Sequence, residues 1–184
     1  NGLFIEQLLL RDFKNYTQLE LNFNHPLVAF VGKNGVGKTN ILDAIYYVCT
    51  TKSYLNSSEQ FNFRHDCQGM YLQASVQLAD RHYKVAMKIV KGRKKEILLN
   101  QVKEEKLIEY VGKYPVVMIA PYDNLIILGN SDERRKLIDN ILCQSDLNYL
   151  EELLQYNKIL ANRNSEVLPK YIFRYHYSLS HFTN

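Results

Sequence analysis

The run Gly32-Lys33-Asn34-Gly35-Val36-Gly37-Lys38-Thr39 holds the residues best suited to chemistry. It fits G-x-x-x-x-G-K-[ST], the spacing of a phosphate-binding loop. Gly35 and Gly37 lack a Cβ, so the backbone can turn until successive N–H groups face one cavity and bind phosphate oxygens. A helix that starts at Lys38 aims its positive end at the same anion. The Lys38 ammonium can reach β- and γ-phosphates, and the Thr39 hydroxyl can ligate Mg²⁺. Gly32, Lys33, Asn34 and Val36 complete the cradle, and Asn40 borders it at the helix start. Together these positions predict a site for a nucleoside triphosphate with Mg²⁺.

Hydrolysis asks for more than binding. A second carboxylate, usually at the end of another buried strand, must hold Mg²⁺ and position water. No run of four apolar residues ends in an acid. Asp139 follows only Leu137-Ile138, inside a helical pattern. Asp123 is the one acid just past a buried-strand candidate, Val116-Val117-Met118-Ile119, and a helix-capping role competes for it. The expectation is a chain that binds nucleotide and, alone, hydrolyses almost none. The rival reading is a small-molecule kinase, for which Arg134-Arg135 is the only candidate for an arginine-rich lid.

Other cations could meet nucleic acid. Residues 81–113 hold ten Lys/Arg against four acids. Lys91, Arg93, Lys94 and Lys95 crowd the tip of a proposed hairpin, where phosphates could reach them without disturbing a core. The competing reading is a solvated turn that keeps a sheet edge from pairing. Arg134 and Arg135 stand near a helix start, a poor place for cations against the helix dipole, which suits a phosphate or ion-pair partner. Arg11 and Asn15, after the first strand, are expected near the base or the phosphates. The tyrosines are scattered and read as packing residues. His65, His82, His176 and His181 lack acidic or cysteine companions at ligand spacing and read as ordinary histidines.

These residues need a frame to hold them. Residues 3–10 read as a strand, and Leu19, Leu21 and Phe23 alternate with polar neighbours as in a half-buried one. Residues 27–31 are continuously apolar, as in a strand buried on both faces. Residues 38–49 repeat Ile41, Leu42, Ile45, Val48 and Cys49 at helical spacing. Strand, glycine loop and helix open an α/β unit. After an irregular stretch, 50–68, residues 70–78 and 82–90 alternate as strands, and Gly92-Arg93 turns the chain toward a strand at 96–99. Residues 103–111 form a candidate helix ended by Gly112, and 116–119 another buried strand closed by Ala120-Pro121. Ser131 is the expected N-cap of a helix over 132–142, with Asp132 and Glu133 at its positive end. A helix over 146–163 follows Ser145, with Pro169 as its stop, and the tail 171–184 has no clean period.

The 184 residues, 46% apolar and 23% charged, suit one domain or slightly more and exclude wholesale disorder, collagen and coiled-coil arrays. A net charge of +4 permits an anionic partner without demanding one. Cys49, Cys67 and Cys143 are odd in number and widely spaced, which argues against disulfides or zinc and for a reducing compartment. No apolar run approaches the roughly 18 residues of a membrane span, and no signal peptide opens the chain, so a soluble, cytoplasmic protein is expected. The first residue is Asn1, not Met, which suggests residues missing before it.

Leu10-Arg11-Asp12-Phe13-Lys14-Asn15-Tyr16, then Leu19-Glu20-Leu21-Asn22-Phe23, then the glycine loop with Thr39-Asn40-Ile41-Leu42-Asp43-Ala44-Ile45, resemble the RecF family of DNA replication and repair ATPases. Thr51-Lys52-Ser53-Tyr54, residues 116–125, Arg134-Arg135-Lys136-Leu137-Ile138-Asp139 and residues 149–164 match in order, so the resemblance covers residues 3–168. It implies an α/β fold: a P-loop lobe of the ABC-ATPase type, similar to Rad50 and SMC heads, with mixed and antiparallel strands, followed by a helical subdomain. The implied division is an ATP-binding lobe over 1–128, the start of a helical lid over 129–168 and an atypical tail over 169–184.

Family members are longer and carry an ABC signature segment and a strand-terminal Asp pair in their C-terminal half. Neither is found in this sequence, so the chain looks like the N-terminal part of such a protein, and its tail favours an early end or a frame change. The resemblance further implies ATP and Mg²⁺ as cofactors and an ATP-dependent homodimer in the full-length protein. It implies DNA bound at single-stranded and gapped-duplex junctions, and recombination mediator proteins of the same pathway as partners in recombinational repair and replication restart. Leu55, where the family often has Arg, and Asn130-Ser131, where it commonly has Ser-Pro, depart from the pattern. A Rad50- or SMC-type head is the neighbouring alternative, but it needs a longer heptad stretch than residues 146–163 supply.

Overall fold

Alternation of apolar and polar residues builds the sheet. The computed structural model describes residues 2–56 and 58–179. Its strands are β1 (Leu3–Phe13), β2 (Tyr16–Asn22), β3 (Gly69–Leu78), β4 (Arg81–Val90), β5 (Glu96–Leu99) and β6 (Val102–Lys103). They form one sheet in the order β2-β1-β3-β4-β5-β6, with every pairing antiparallel. In β3 every second residue, Met70, Leu72, Ala74 and Val76, is buried, and Val85, Met87 and Ile89 do the same in β4. That face receives helix α1 (Lys38–Thr50) through Ile41, Ala44, Tyr47 and Val48. Leu8, Leu10 and Phe13 of β1 complete the core. Each Leu or Val withdrawn fully from water contributes about 1.5–3 kcal/mol.

The first hairpin is tighter than the sequence pattern implies. β1 continues past residue 10 because Phe13 is wholly buried and pairs with Tyr16, leaving Lys14 and Asn15 as a two-residue turn. Lys14 sits there at φ 50°, in the left-handed region.

The two strands expected to be buried on both faces are not strands. Residues 27–31 and 116–119 carry no ladder, and Leu27 and Val31 are each 89% exposed, with Val117 and Ile119 at 78% and 82%. A strand of that kind needs partners on both sides, and no described strand pairs with either run. The expected mixed sheet is therefore observed as its antiparallel part.

The helical part differs in detail too. Only α2 (Leu107–Tyr110) forms within 103–111, because Val102 and Lys103 join the sheet and Tyr110 is drawn inward, its hydroxyl donating to the Val48 carbonyl. After α3 (Leu125–Leu128), α4 (Ser131–Ser145) is capped by Asn130 rather than Ser131: its side chain accepts from the Asp132 N–H at 3.3 Å. Helix α5 (Leu147–Leu179) runs through Pro169 instead of stopping there. A proline costs a helix one hydrogen bond, and helical residues lie on both sides of this one. His181 and the rest of 180–184 lie outside the described residues. Among the described residues, no helix is long and apolar enough to cross a membrane, and no His/Cys/Asp/Glu group of three could hold a metal ion.

Candidate nucleotide site

The glycine loop curls into the head of α1. Gly35 has φ 83° and Gly37 φ 102°, conformations that side chains with a Cβ rarely adopt. The Gly37 carbonyl accepts the first helical N–H bond, from Asn40 at 2.8 Å, so the helix starts directly from the loop. The Lys38 side chain folds back over the loop, and its Nζ donates to the carbonyls of Gly32 and Lys33 at 2.7 Å each. Lys33, Asn34, Gly35, Val36 and Thr39 are exposed, and Asn40 is half-buried beside the hairpin turn. The fold thus brings residues 32–40 together as one unit with an ammonium at its mouth.

The hairpin turn braces this unit from behind. Asn15 Nδ2 donates to the Val36 carbonyl at 3.1 Å, and Asn15 Oδ1 accepts from Asn40 Nδ2 at 2.7 Å. Arg11 does not join it; its backbone pairs with Gln18 and Tyr71, and it is exposed.

Beneath the loop lies a pair not anticipated among the site residues. Lys14 is ion-paired with Asp43, with side chains 7% and 0% exposed. Asp43 Oδ2 also accepts from the Ser53 hydroxyl at 2.7 Å, and Oδ1 from the backbone N–H groups of Tyr54 at 2.7 Å and Leu55 at 3.3 Å. A buried carboxylate with this many donors holds three segments in place: the turn, α1 and the stretch after α1. The signal was an acid on the apolar face of a helix, one turn before Tyr47. Tyr54 in turn donates to Asp123 Oδ1 at 2.6 Å, and Asp123 Oδ2 accepts from the Ala120 N–H, which gives Asp123 a capping role. Burial, then the Asp123 carboxylate, push the Tyr54 hydroxyl above its ordinary range.

The basic residues divide. Lys91, Arg93 and Lys94 are exposed at the β4–β5 turn and, with Phe63, Lys103, Glu104 and Glu105, line an open groove of about 1320 Å³. The Lys91 ammonium lies 5.3 Å from the Phe63 ring centroid. Lys95 lines the same groove, but its side chain is mostly buried and held by partners. Its Nζ meets Glu59 at 2.6 Å, donates to the Thr51 carbonyl at 2.7 Å and lies 4.9 Å from the Tyr47 ring centroid. Arg134 donates to the Gly129 carbonyl at 3.1 Å, and Arg135 meets Asp132 and the Ser131 hydroxyl, each at 3.2 Å. Both arginines are exposed, and these contacts lie at the surface of α4.

Comparison with known proteins agrees with this layout. The family model of the AAA domain matches residues 7–174. The DNA replication and repair protein RecF of Flavobacterium johnsoniae is 35% identical over 163 residues, 89% of this chain and 45% of that protein. Its counterpart in Bacteroides fragilis is 36% identical over 164 residues, 89% of this chain and 44% of that protein. The chain therefore spans a little under half the length of these relatives. The solved structure of the recombination mediator protein RecF-ATP of the RecFOR pathway superposes with TM-score 0.79 at 30% identity, covering 89% of this chain and 45% of that one. An SMC ATPase structure superposes with TM-score 0.57 at 21% identity, over 75% of this chain and 99% of that one, a likeness of fold alone. Sheet, loop and helices make an α/β lobe of the P-loop, ABC-ATPase type.

Proposed function

The chain belongs to the AAA domain family and matches the N-terminal portion of RecF proteins, and on that premise we propose that it binds ATP with Mg²⁺ at residues 32–40. As part of a RecF-like protein it would hold DNA in an ATP-dependent way for recombinational repair and replication restart. One observation carries the reading: Lys38 bridges the Gly32 and Lys33 carbonyls at the mouth of a loop that feeds straight into a helix N-terminus. Such a loop offers backbone N–H groups, a helix dipole and an ammonium to the same anion.

The residues present fit the cofactors. Lys38 and the loop amides would hold the phosphates, and the exposed Thr39 hydroxyl would ligate Mg²⁺. Mg²⁺, when bound, would offset phosphate charge. Asp43 is already taken up by Lys14, Ser53, Tyr54 and Leu55 and does not serve as the second carboxylate. The 184-residue chain alone is therefore expected to turn over almost no ATP.

Lys91, Arg93 and Lys94 are proposed to meet DNA phosphates, on single strands or gapped duplex. Lys95, Arg134 and Arg135 would have to exchange present partners for phosphate to join them. The family reading adds an ATP-dependent homodimer of the full-length protein, recombination mediator proteins as partners and a cytoplasmic location. It also divides the chain into an ATP-binding lobe over 1–128, the start of a lid over 129–168 and a tail over 169–184. Fluorescence anisotropy of a labelled gapped duplex tests the proposal: the full-length protein should retain it with ATP and release it without. Retention indifferent to ATP, or no retention at all, would contradict it.

A further inference from the structure

We propose that Asn15, in the β1–β2 turn, is a positioning residue for the phosphate loop; the inference rests on the nucleotide reading above and adds a residue to it. Its carboxamide reaches two elements at once, the Val36 carbonyl of the loop and the Asn40 side chain on the first turn of α1. In a planar trans peptide the N–H points opposite the C=O. Holding the Val36 oxygen toward Asn15 therefore turns the Gly37 N–H away from the hairpin, to the side open to a phosphate oxygen.

The same carboxamide explains the glycine at position 37. A Cβ there would stand 2.5 Å from Asn15 Nδ2, 2.7 Å from Asn15 Oδ1 and 2.8 Å from the Tyr16 hydroxyl oxygen. Loop and turn can approach this closely only where no side chain intervenes. The turn is itself anchored. Lys14 is paired with the buried Asp43, and its N–H donates to the Asn62 carbonyl at 2.9 Å. Asn40 and Asp43 are three residues apart, neighbours along one face of α1, so the turn grips the helix at two successive points. Asn15 thereby holds the loop in its anion-binding shape before any ligand arrives, and a preorganised site spends less of its binding energy on ordering.

The test compares the full-length protein with its Asn15→Ala and Asn15→Leu variants. Leu matches Asn in the number and branching of its side-chain heavy atoms, though it is bulkier, and makes none of its hydrogen bonds. Three quantities are read: the affinity for Mg²⁺ with a non-hydrolysable ATP analogue, the ³¹P shift of the bound β-phosphate, and the thermal midpoint without ligand. Both variants should bind about tenfold more weakly. The bound β-phosphate resonance should move, while the ligand-free midpoint stays within about 2 °C of wild type. An Asn15→Leu variant with wild-type affinity and an unmoved resonance would overturn the proposal, since packing alone would then suffice. Should Asn15→Ala not fold, Asn15→Leu decides in the same way. A wild-type protein that binds no analogue would instead refute the reading of the loop, and this inference with it.

Discussion

At Gly37 two demands meet: a backbone φ of 102° and a neighbouring side chain 2.5 Å from where a Cβ would stand. Gly37→Ala must therefore strain the backbone and displace Asn15 together. The expected result is a stability loss above about 1 kcal/mol with weaker nucleotide binding, read by urea unfolding and calorimetry. Gly35, at φ 83° with open space around it, faces only the first demand and should tolerate alanine better. Adjacent lysines differ just as sharply. Lys94 is exposed at the turn, whereas Lys95 is held by Glu59, Thr51 and the Tyr47 ring. Charge reversal at Arg93 and Lys94 should weaken DNA binding and flatten its salt dependence while leaving the thermal midpoint in place. Lys95→Ala should lower the midpoint first. The sequence grouped these lysines because spacing shows who is near whom along the chain, not which side chain finds a carboxylate across it.

At the scale of elements, the turn, α1 and the segment after it are tied by one buried carboxylate. Asp43→Ala would leave Lys14 without its partner in a site where its side chain is 7% exposed, a loss of about 3–5 kcal/mol. Adding Lys14→Met should recover part of that loss, because no unpaired charge then remains; a double variant no better than the single would contradict this account. The sequence displayed the loop, α1 and the alternating strands β3 and β4 openly, since glycine spacing and periods of 3.6 and 2 are local properties. It hid the Lys14–Asp43 pair, whose partners meet only when hairpin and helix pack. It misjudged residues 27–31 and 116–119 for a related reason: an apolar run announces a need for partners but does not supply them. Pro169 misled in the opposite sense, as a local breaker overridden by helical residues on both sides.

Over the whole molecule, burial makes the fold sensitive to alkali. Cys49 and Tyr114 titrate near 9.0 and 10.0 when unfolded, and burial pushes both up to about 12 in the fold. Above those lower values the unfolded chain has shed protons that the folded chain keeps, so stability should fall as pH rises from about 9 to 12. Thermal midpoints at pH 8 and pH 11 check this, and equal values would argue that neither group is buried. The exposed runs make a different mark. Amides of 27–31 and 117–119 should exchange quickly in this chain, while those of β3 in the sheet centre stay protected. The central claim concerns the loop, and calorimetric titration of Mg²⁺-ATP into the wild-type chain and its Lys38→Ala variant tests it most directly. Wild type should bind one nucleotide, and the variant should lose about 30-fold or more, the worth of a charge-assisted bond to phosphate. Equal affinities would show that residues 32–39 do not hold the phosphates.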